Sequence, residues 1–190
     1  MRTIEAIWAG PYSWPRFESE NGLPPLPKQP GLYLQTVEYE DGYLIYAAGL
    51  TRRTVAQRMR EHTRKYVMGD TNVLSLIEMQ RGRRQEVWHG WGWTPEKRAE
   101  FEGKREMILD AVQRQLAGFR LFVTDIGTEP RLLERLEAAV MNTLYQQSAP
   151  FCDIPDKGMM LAPRRTSEEI IIVRNQRDVV LYGLPDQLEI

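Results

Sequence analysis

The chain of 190 residues is long enough for one good hydrophobic core and too short for a second to be assumed. Hydrophobic residues make up 42% and charged residues 27% of it, which are ordinary proportions for a globular protein. The formal net charge of −1 argues mildly against a protein that coats nucleic acid, although net charge averages over all faces.

The cysteine content and the apolar runs of the sequence disfavour several other classes of protein. The single cysteine, Cys152, cannot form an internal disulfide, and no Cys/His cluster has the spacing of a zinc site. The N-terminus lacks the apolar region of a signal peptide. No apolar run approaches the ~20 residues that span a bilayer. We therefore expect a cytoplasmic protein with no membrane partner.

The first 29 residues are rich in tryptophan and proline and have no periodicity. Proline without periodicity disfavours a helix. We expect residues 1–29 to be an irregular extension that wraps the sheet, with Trp8, Trp14 and Phe17 as anchors.

A hairpin that leads into a helix is predicted over residues 31–67. Asp41 and Gly42 give a turn signal between two apolar and aromatic runs. Thr51 is the predicted N-cap of the helix, because its hydroxyl can accept a hydrogen bond from the first turn. Arg58 and His62, four residues apart, share one face of that helix.

Residues 68–117 read as an insertion between two parts of a compact core. The pattern predicts a short helix over 72–80 and a strand over 86–93, where apolar and aromatic residues alternate. Thr94 and the proline after it predict the start of a long helix that ends at Gly118.

In the last third of the chain, the apolar pattern predicts a strand over 119–126 and an amphipathic helix over 128–145. A looped segment follows, and the apolar runs at 170–173 and 179–182 suggest a closing hairpin. The order strand, strand, helix, insertion, strand, helix predicts an α+β fold with a small antiparallel sheet flanked by helices. We expect one domain over residues 1–190, with residues 154–190 as a C-terminal extension.

Basic residues are bunched in three stretches, at 52–65, 81–84 and 164–165, rather than spread along the chain. A basic face on a near-neutral protein suits an enzyme that grips phosphates locally, and a solvated charged helix is the alternative. The residues that we expect to contact nucleic acid are Arg52, Arg53, Arg64, Lys65, Arg81, Arg83 and Arg84.

Two strand motifs and two helical residues resemble the GIY-YIG nuclease family. Gly31-Leu32-Tyr33 is similar to the first motif, and Tyr46-Ala47-Ala48-Gly49 to the second. Arg58 then follows on a helix, and Glu137 on a later one. The resemblance covers about residues 30–66 and 118–153 and lies mainly in the order of these short motifs.

The resemblance implies a Mg²⁺-dependent endonuclease, with Mn²⁺ as an alternative cofactor, that hydrolyses phosphodiester bonds of DNA, with RNA as an alternative partner. Tyr33 would be the base or orient the attacking water, and Tyr46 would be the second tyrosine of the site. Arg58 and His62 would contact the phosphate, and Glu137 would bind the metal. The insertion and the Arg58/His62 pair are similar to the restriction-endonuclease branch.

Three departures from the family pattern leave alternatives open. Arg58 lies one residue further from Gly49 than is usual in the family. Tyr46 precedes Gly49 by one residue more than in the family, so it faces the site only if the strand bulges at Ala47 and Ala48. Asp153 stands where the family commonly has asparagine. The alternatives are a catalytically inactive relative that binds nucleic acid, or an unrelated α+β protein.

Overall fold

The computed structural model describes residues 2–190. Its secondary-structure elements in chain order are β1 Arg2–Ile7, β2 Ala9–Ser13, α1 Glu18–Asn21, β3 Gly31–Tyr39, β4 Gly42–Thr51, α2 Val55–Met68, β5 Val73–Leu74, α3 Leu76–Gln80, β6 Glu86–Trp88, α4 Pro95–Gly103, α5 Arg105–Gly118, β7 Phe119–Thr124, α6 Pro130–Tyr145, β8 Ile171–Gln176, β9 Leu181–Tyr182 and β10 Gln187–Glu189.

The architecture is α+β, as the order of the predicted elements indicates. A five-stranded sheet has the order β2-β7-β3-β4-β9, and a three-stranded sheet has the order β1-β8-β10. The first four strands of the larger sheet are antiparallel, whereas β9 runs parallel to β4. In the smaller sheet β1 runs parallel to β8. The sheets are therefore mixed, which differs from the antiparallel sheet predicted.

Side chains on the two faces of the larger sheet belong to two hydrophobic clusters. On the first face, α2 and α5 cover the sheet, and Tyr33, Leu44 and Met59 are buried there. On the second face, α6 and the smaller sheet cover Leu34 and Ile45. This two-sided burial explains why β3 is almost continuously buried rather than alternating.

The hairpin of β3 and β4 forms as its turn signal predicts, with Tyr39 paired to Gly42. The helix after it begins later than expected. Thr54 is the N-cap of α2, since its hydroxyl accepts from Gln57 N–H and the Gln57 side chain accepts from Thr54 N–H. Thr51 is instead the last residue of β4.

The N-terminal segment is more regular than predicted. It contains β1, β2 and the short helix α1 instead of an irregular extension. Proline is tolerated in β2 because this strand lies at the edge of the larger sheet, where an N–H is not required for pairing. The anchor prediction is confirmed, since Trp8, Trp14 and Phe17 are all buried.

Three further elements differ from the sequence prediction. The runs at 170–173 and 179–182 do not form a hairpin, because β8 pairs with β1 and β10 while β9 pairs with β4. The long helix is broken at Lys104 into α4 and α5. The predicted helix over 72–80 is a strand, β5, followed by the shorter helix α3.

Within residues 2–190, none of the helices combines the length and the apolar character that a membrane crossing requires.

Candidate active site

Tyr33 lies on the first face of the larger sheet and is 2% exposed. Its hydroxyl is 3.1 Å from Nε2 of His62 on α2. Gly49, paired with Tyr33 across the hairpin, lies directly under the ring. A Cβ at this position would come within 2.3 Å of the tyrosine hydroxyl oxygen. Glycine is therefore required at position 49 to leave room for this hydroxyl.

Arg58 lies one helical turn before His62 and is partly exposed. Its Nη1 donates to Oε2 of Glu61 over 3.3 Å, while Oε1 of Glu61 pairs with Arg53 over 2.5 Å. The Nε atom of Arg58 is buried and has no hydrogen-bond partner within the described residues. A buried donor without a partner is costly, so this guanidinium is suited to an anionic ligand.

Glu137 reaches the group from α6, which covers the second face of the sheet. The edge of β4 is open here, because β9 pairs only with Tyr43 and Leu44. Two N–H groups of that edge face α6. The Ala48 N–H donates to the sulfur of Met141 over 3.1 Å, and the Leu50 N–H lowers the pKa of the Glu137 carboxyl.

The spacing of these two contacts follows from regular geometry. Two residues of a strand span ~7 Å and four residues of a helix span ~6 Å, so Glu137 and Met141 match alternate strand residues. Glu137 consequently lies at the sheet edge, where the charge of Arg58 acts on it, rather than behind the sheet.

Burial raises the pKa of Tyr33 to about 12. The neighbouring charge of Arg58 lowers this pKa, and the charges of Glu137 and Glu61 raise it. Burial also raises the pKa of the Glu137 carboxyl to about 7, against the opposing effects of Arg58 and the Leu50 N–H. The charge of Arg58 therefore acts on the pKa values of both Tyr33 and Glu137.

The pKa of His62 is shifted in the opposite direction. Burial, followed by the charges of Arg58 and Lys65, lowers the pKa of His62 to about 4. The imidazole is therefore neutral at pH 7 and can accept the proton of the Tyr33 hydroxyl on Nε2.

Tyr46 is the extra residue of a β-bulge. Ala47 pairs with Gln35 and Ile45 pairs with Thr36, which leaves Tyr46 unpaired between them. The bulge lies one residue earlier than the position predicted for it. Its effect is the expected one, because Tyr46 joins the hydrophobic cluster of the first face.

The hydroxyl of Tyr46 nevertheless does not join the group around Arg58. It donates to Oδ2 of Asp156 over 3.1 Å. Oδ1 of Asp156 accepts from Asn72 over 3.1 Å and from Arg84 over 2.5 Å. Asp153 is exposed and accepts a hydrogen bond from the neighbouring cysteine.

Sequence reasoning missed Asp156 and the pairing of Glu61 with Arg58. Asp156 lies 110 residues from its partner Tyr46, and no spacing rule connects them. Glu61 had a visible signal, since a glutamate three residues after an arginine on a helix forms a pair with it.

The predicted nucleic-acid contacts fall into two groups. Arg52, Arg64 and Lys65 are exposed, and none of the ion pairs found within residues 2–190 involves them. The other four are already paired with carboxylates: Arg53 with Glu61, Arg81 and Arg83 with Glu78, and Arg84 with Asp156 and Glu86. The first group is therefore better placed to receive phosphates.

A metal ion at this site would depend on one carboxylate. No group of three or more His, Cys, Asp or Glu side chains in the described part of the chain could hold a metal. Mg²⁺ commonly uses one or two carboxylates and several waters, so the Glu137 side chain is chemically suitable for it.

No family model, curated protein or solved structure matches the chain. The relation to GIY-YIG nucleases is thus a resemblance carried by the residues described above.

Proposed function

We propose that the protein is a GIY-YIG-type endonuclease that hydrolyses phosphodiester bonds of DNA with Mg²⁺ or Mn²⁺. The observation that carries the proposal is the convergence of Tyr33, Arg58, His62 and Glu137, which come from three separate parts of the chain. Within this proposal, β3, β4, α2, β7 and α6 are the family's core, and residues 68–117 are an insertion.

Tyr33 and His62 would act together on the attacking water. The Tyr33 hydroxyl donates its proton to the neutral Nε2 of His62 as its oxygen takes a proton from water. The resulting hydroxide attacks phosphorus, the bond from phosphorus to the leaving oxygen breaks, and that oxygen takes a proton from bulk water to leave as a hydroxyl group. A phosphate bound at Arg58 would offset the positive charge that lowers the pKa of His62, which improves this base when substrate is present.

Arg58 would hold the reacting phosphate. Its buried Nε has no partner in the described residues, and the ion pair with Glu61 holds the guanidinium in place. A guanidinium can donate two parallel hydrogen bonds to a phosphate, and it stabilises the negative charge that develops there.

Glu137 would hold the metal ion, which supplies positive charge for the phosphate and the leaving oxygen. Ionised Glu137 raises the pKa of Tyr33, so a cation at this carboxylate would also remove that unfavourable effect on the base. One contact of the carboxylate is the Leu50 N–H, and the side chain is only partly buried.

A second candidate function is nucleic-acid binding without cleavage. It is favoured by Tyr46, because the second tyrosine of the motif is hydrogen-bonded to Asp156 instead of joining Arg58.

Nicking of supercoiled plasmid DNA, with Mg²⁺ and with a chelator, separates the two functions. The nuclease proposal predicts Mg²⁺-dependent nicking by the wild type and none by Glu137→Gln, with DNA binding retained in both. Binding with no nicking by the wild type under any metal would favour the second function. No DNA binding at low salt would contradict both.

A further inference from the structure

The tryptophans at positions 88, 91 and 93 have different environments. Trp88 is 4% exposed and its Nε1 donates to the Gly69 carbonyl. Trp88 and Trp93 both pack on Phe101, with ring centroids 5.4 and 6.0 Å away. Trp91 is 41% exposed, and its ring stacks on no other aromatic ring within residues 2–190. Core packing therefore explains Trp88 and Trp93 and leaves Trp91 unexplained.

Trp91 borders a cavity of about 560 Å³, which we call the Trp91 cavity. This volume lies in the range of ligand sites, ~300–1,000 Å³. Besides the indole ring, its lining has donors and acceptors of both charges, including Arg84, His89, Asp153, Asp156 and Lys157. The lining has three carboxylates, of Glu86, Asp153 and Asp156, and three cationic side chains, of Arg83, Arg84 and Lys157. These charges balance, so the lining is not specialised for a phosphate.

The floor of the Trp91 cavity is held rigidly. Asp156 is fixed by Asn72 and Arg84, and Arg84 also donates to the Ile154 carbonyl over 2.7 Å. The side-chain Oδ1 of Asn72 accepts a hydrogen bond from the Gly90 N–H over 2.9 Å, which fixes the backbone beside Trp91. A site with fixed polar groups needs little reordering when a planar polar ligand binds.

The Trp91 cavity and the candidate active site are linked through one face of the sheet. The bulge places Tyr46 on the same face as Tyr33, and the Tyr46 hydroxyl bonds directly to Asp156 of the cavity floor. Tyr46 is three residues from Gly49, the partner of Tyr33, or ~10 Å along the strand. The cavity floor and the candidate active site are therefore attached to neighbouring positions of the same strand, β4.

We propose that the Trp91 cavity binds one unpaired base of the nucleic-acid substrate, which stacks on Trp91 while the polar floor contacts its edge. The inference rests on the proposed function. Aromatic side chains bind unpaired bases through their faces with little regard to sequence, and mixed donors and acceptors match the edge of a base better than a phosphate.

The test measures binding of labelled DNA in chelator, so that cleavage does not interfere. A fully paired duplex is compared with the same duplex carrying one unpaired nucleotide, for the wild type, Trp91→Ala and Trp91→Phe. Ile77→Ala is the matched control, because Ile77 is an exposed apolar residue that lies outside the cavity. Thermal unfolding checks that each variant is folded.

We expect the wild type to prefer the duplex with the unpaired nucleotide, and Trp91→Ala to lose that preference by ~5–100-fold. Affinity for the paired duplex should stay within about twofold, and Trp91→Phe should retain most of the preference. Ile77→Ala should behave as the wild type.

Some results would contradict the proposed base-binding cavity without contradicting the proposed nuclease function. These are equal affinity of the wild type for both duplexes, or an unchanged preference in Trp91→Ala. Saturation by a free mononucleotide without any preference for the unpaired strand would also overturn the base-binding proposal, since the ligand would then be a small molecule. If the wild type binds neither duplex at low salt, the proposed function itself is contradicted.

Discussion

The Glu137→Gln substitution should stabilise the protein at alkaline pH while removing its response to Mg²⁺. Burial raises the pKa of Glu137 from its ordinary value of 4.5 to about 7. The folded state therefore holds this proton more tightly than the unfolded state. The resulting stability is fully present below pH 4.5 and is lost as the pH rises through about 7.

The magnitude follows from the same difference in pKa. At about 1.36 kcal/mol per pKa unit, a rise from 4.5 to about 7 corresponds to ~3 kcal/mol as an upper bound. The carboxyl retains some solvent contact, which reduces the effect to ~1–2 kcal/mol. Glutamine keeps the size and an acceptor for the Leu50 N–H but has no charge. We expect its melting temperature at pH 8 to exceed that of the wild type by ~2–8 °C.

Thermal unfolding at pH 8 and pH 4, with and without Mg²⁺, measures both parts of the prediction. The advantage of Glu137→Gln should nearly disappear at pH 4. Mg²⁺ should stabilise the wild type, by ~1.4 kcal/mol at ten times Kd, and leave the variant unchanged. Glu134→Gln is the matched control, because Glu134 lies one turn earlier and pairs with Arg131. Equal Mg²⁺ responses of the wild type and Glu137→Gln would refute the metal-binding role.

Three further predictions concern the neighbours of this carboxylate. Arg58→Ala should lower both DNA affinity and cleavage rate, because a phosphate contact and a transition-state contact are lost together; titration and single-turnover kinetics measure the two, and loss of neither would exclude Arg58 from the site. Glu61→Gln should raise DNA affinity ~3–10-fold, since it removes a negative charge beside Arg58 and Arg53 while its amide oxygen can still accept from Arg58; weaker binding in a salt titration would contradict this. Tyr46→Phe should lower stability by ~1 kcal/mol through loss of the hydrogen bond to Asp156, and leave cleavage within about twofold; a large drop in single-turnover rate would place Tyr46 in the chemistry.

Local signals predicted the elements that carry the candidate site. The Asp41-Gly42 turn fixed the β3–β4 hairpin, because it demands a tight reversal between two apolar runs. The strong amphipathic pattern predicted α6 to within two residues at its start and at the correct end, Tyr145.

Long-range pairing could not be predicted from the same signals. The strand β1 pairs in parallel with β8 about 170 residues later, and no turn chemistry marks such a partner. The expected hairpin of residues 170–173 and 179–182 was wrong for the same reason. The second of these segments contains β9, which pairs with the edge of β4 instead of with β8. At the bulge, Tyr46 packs against Phe119, which lies 73 residues away, and no local signal marks this contact.

Single-turnover cleavage of a labelled DNA duplex by Tyr33→Phe, at saturating Mg²⁺, tests the account most directly. The substitution keeps the ring over Gly49 and removes only the hydroxyl that faces His62. We predict Mg²⁺-dependent cleavage by the wild type and a rate at least ~100-fold lower for Tyr33→Phe, with DNA affinity within about twofold. Cleavage by Tyr33→Phe at the wild-type rate, or no cleavage by the wild type, would contradict the assignment of Tyr33 as the group that activates water.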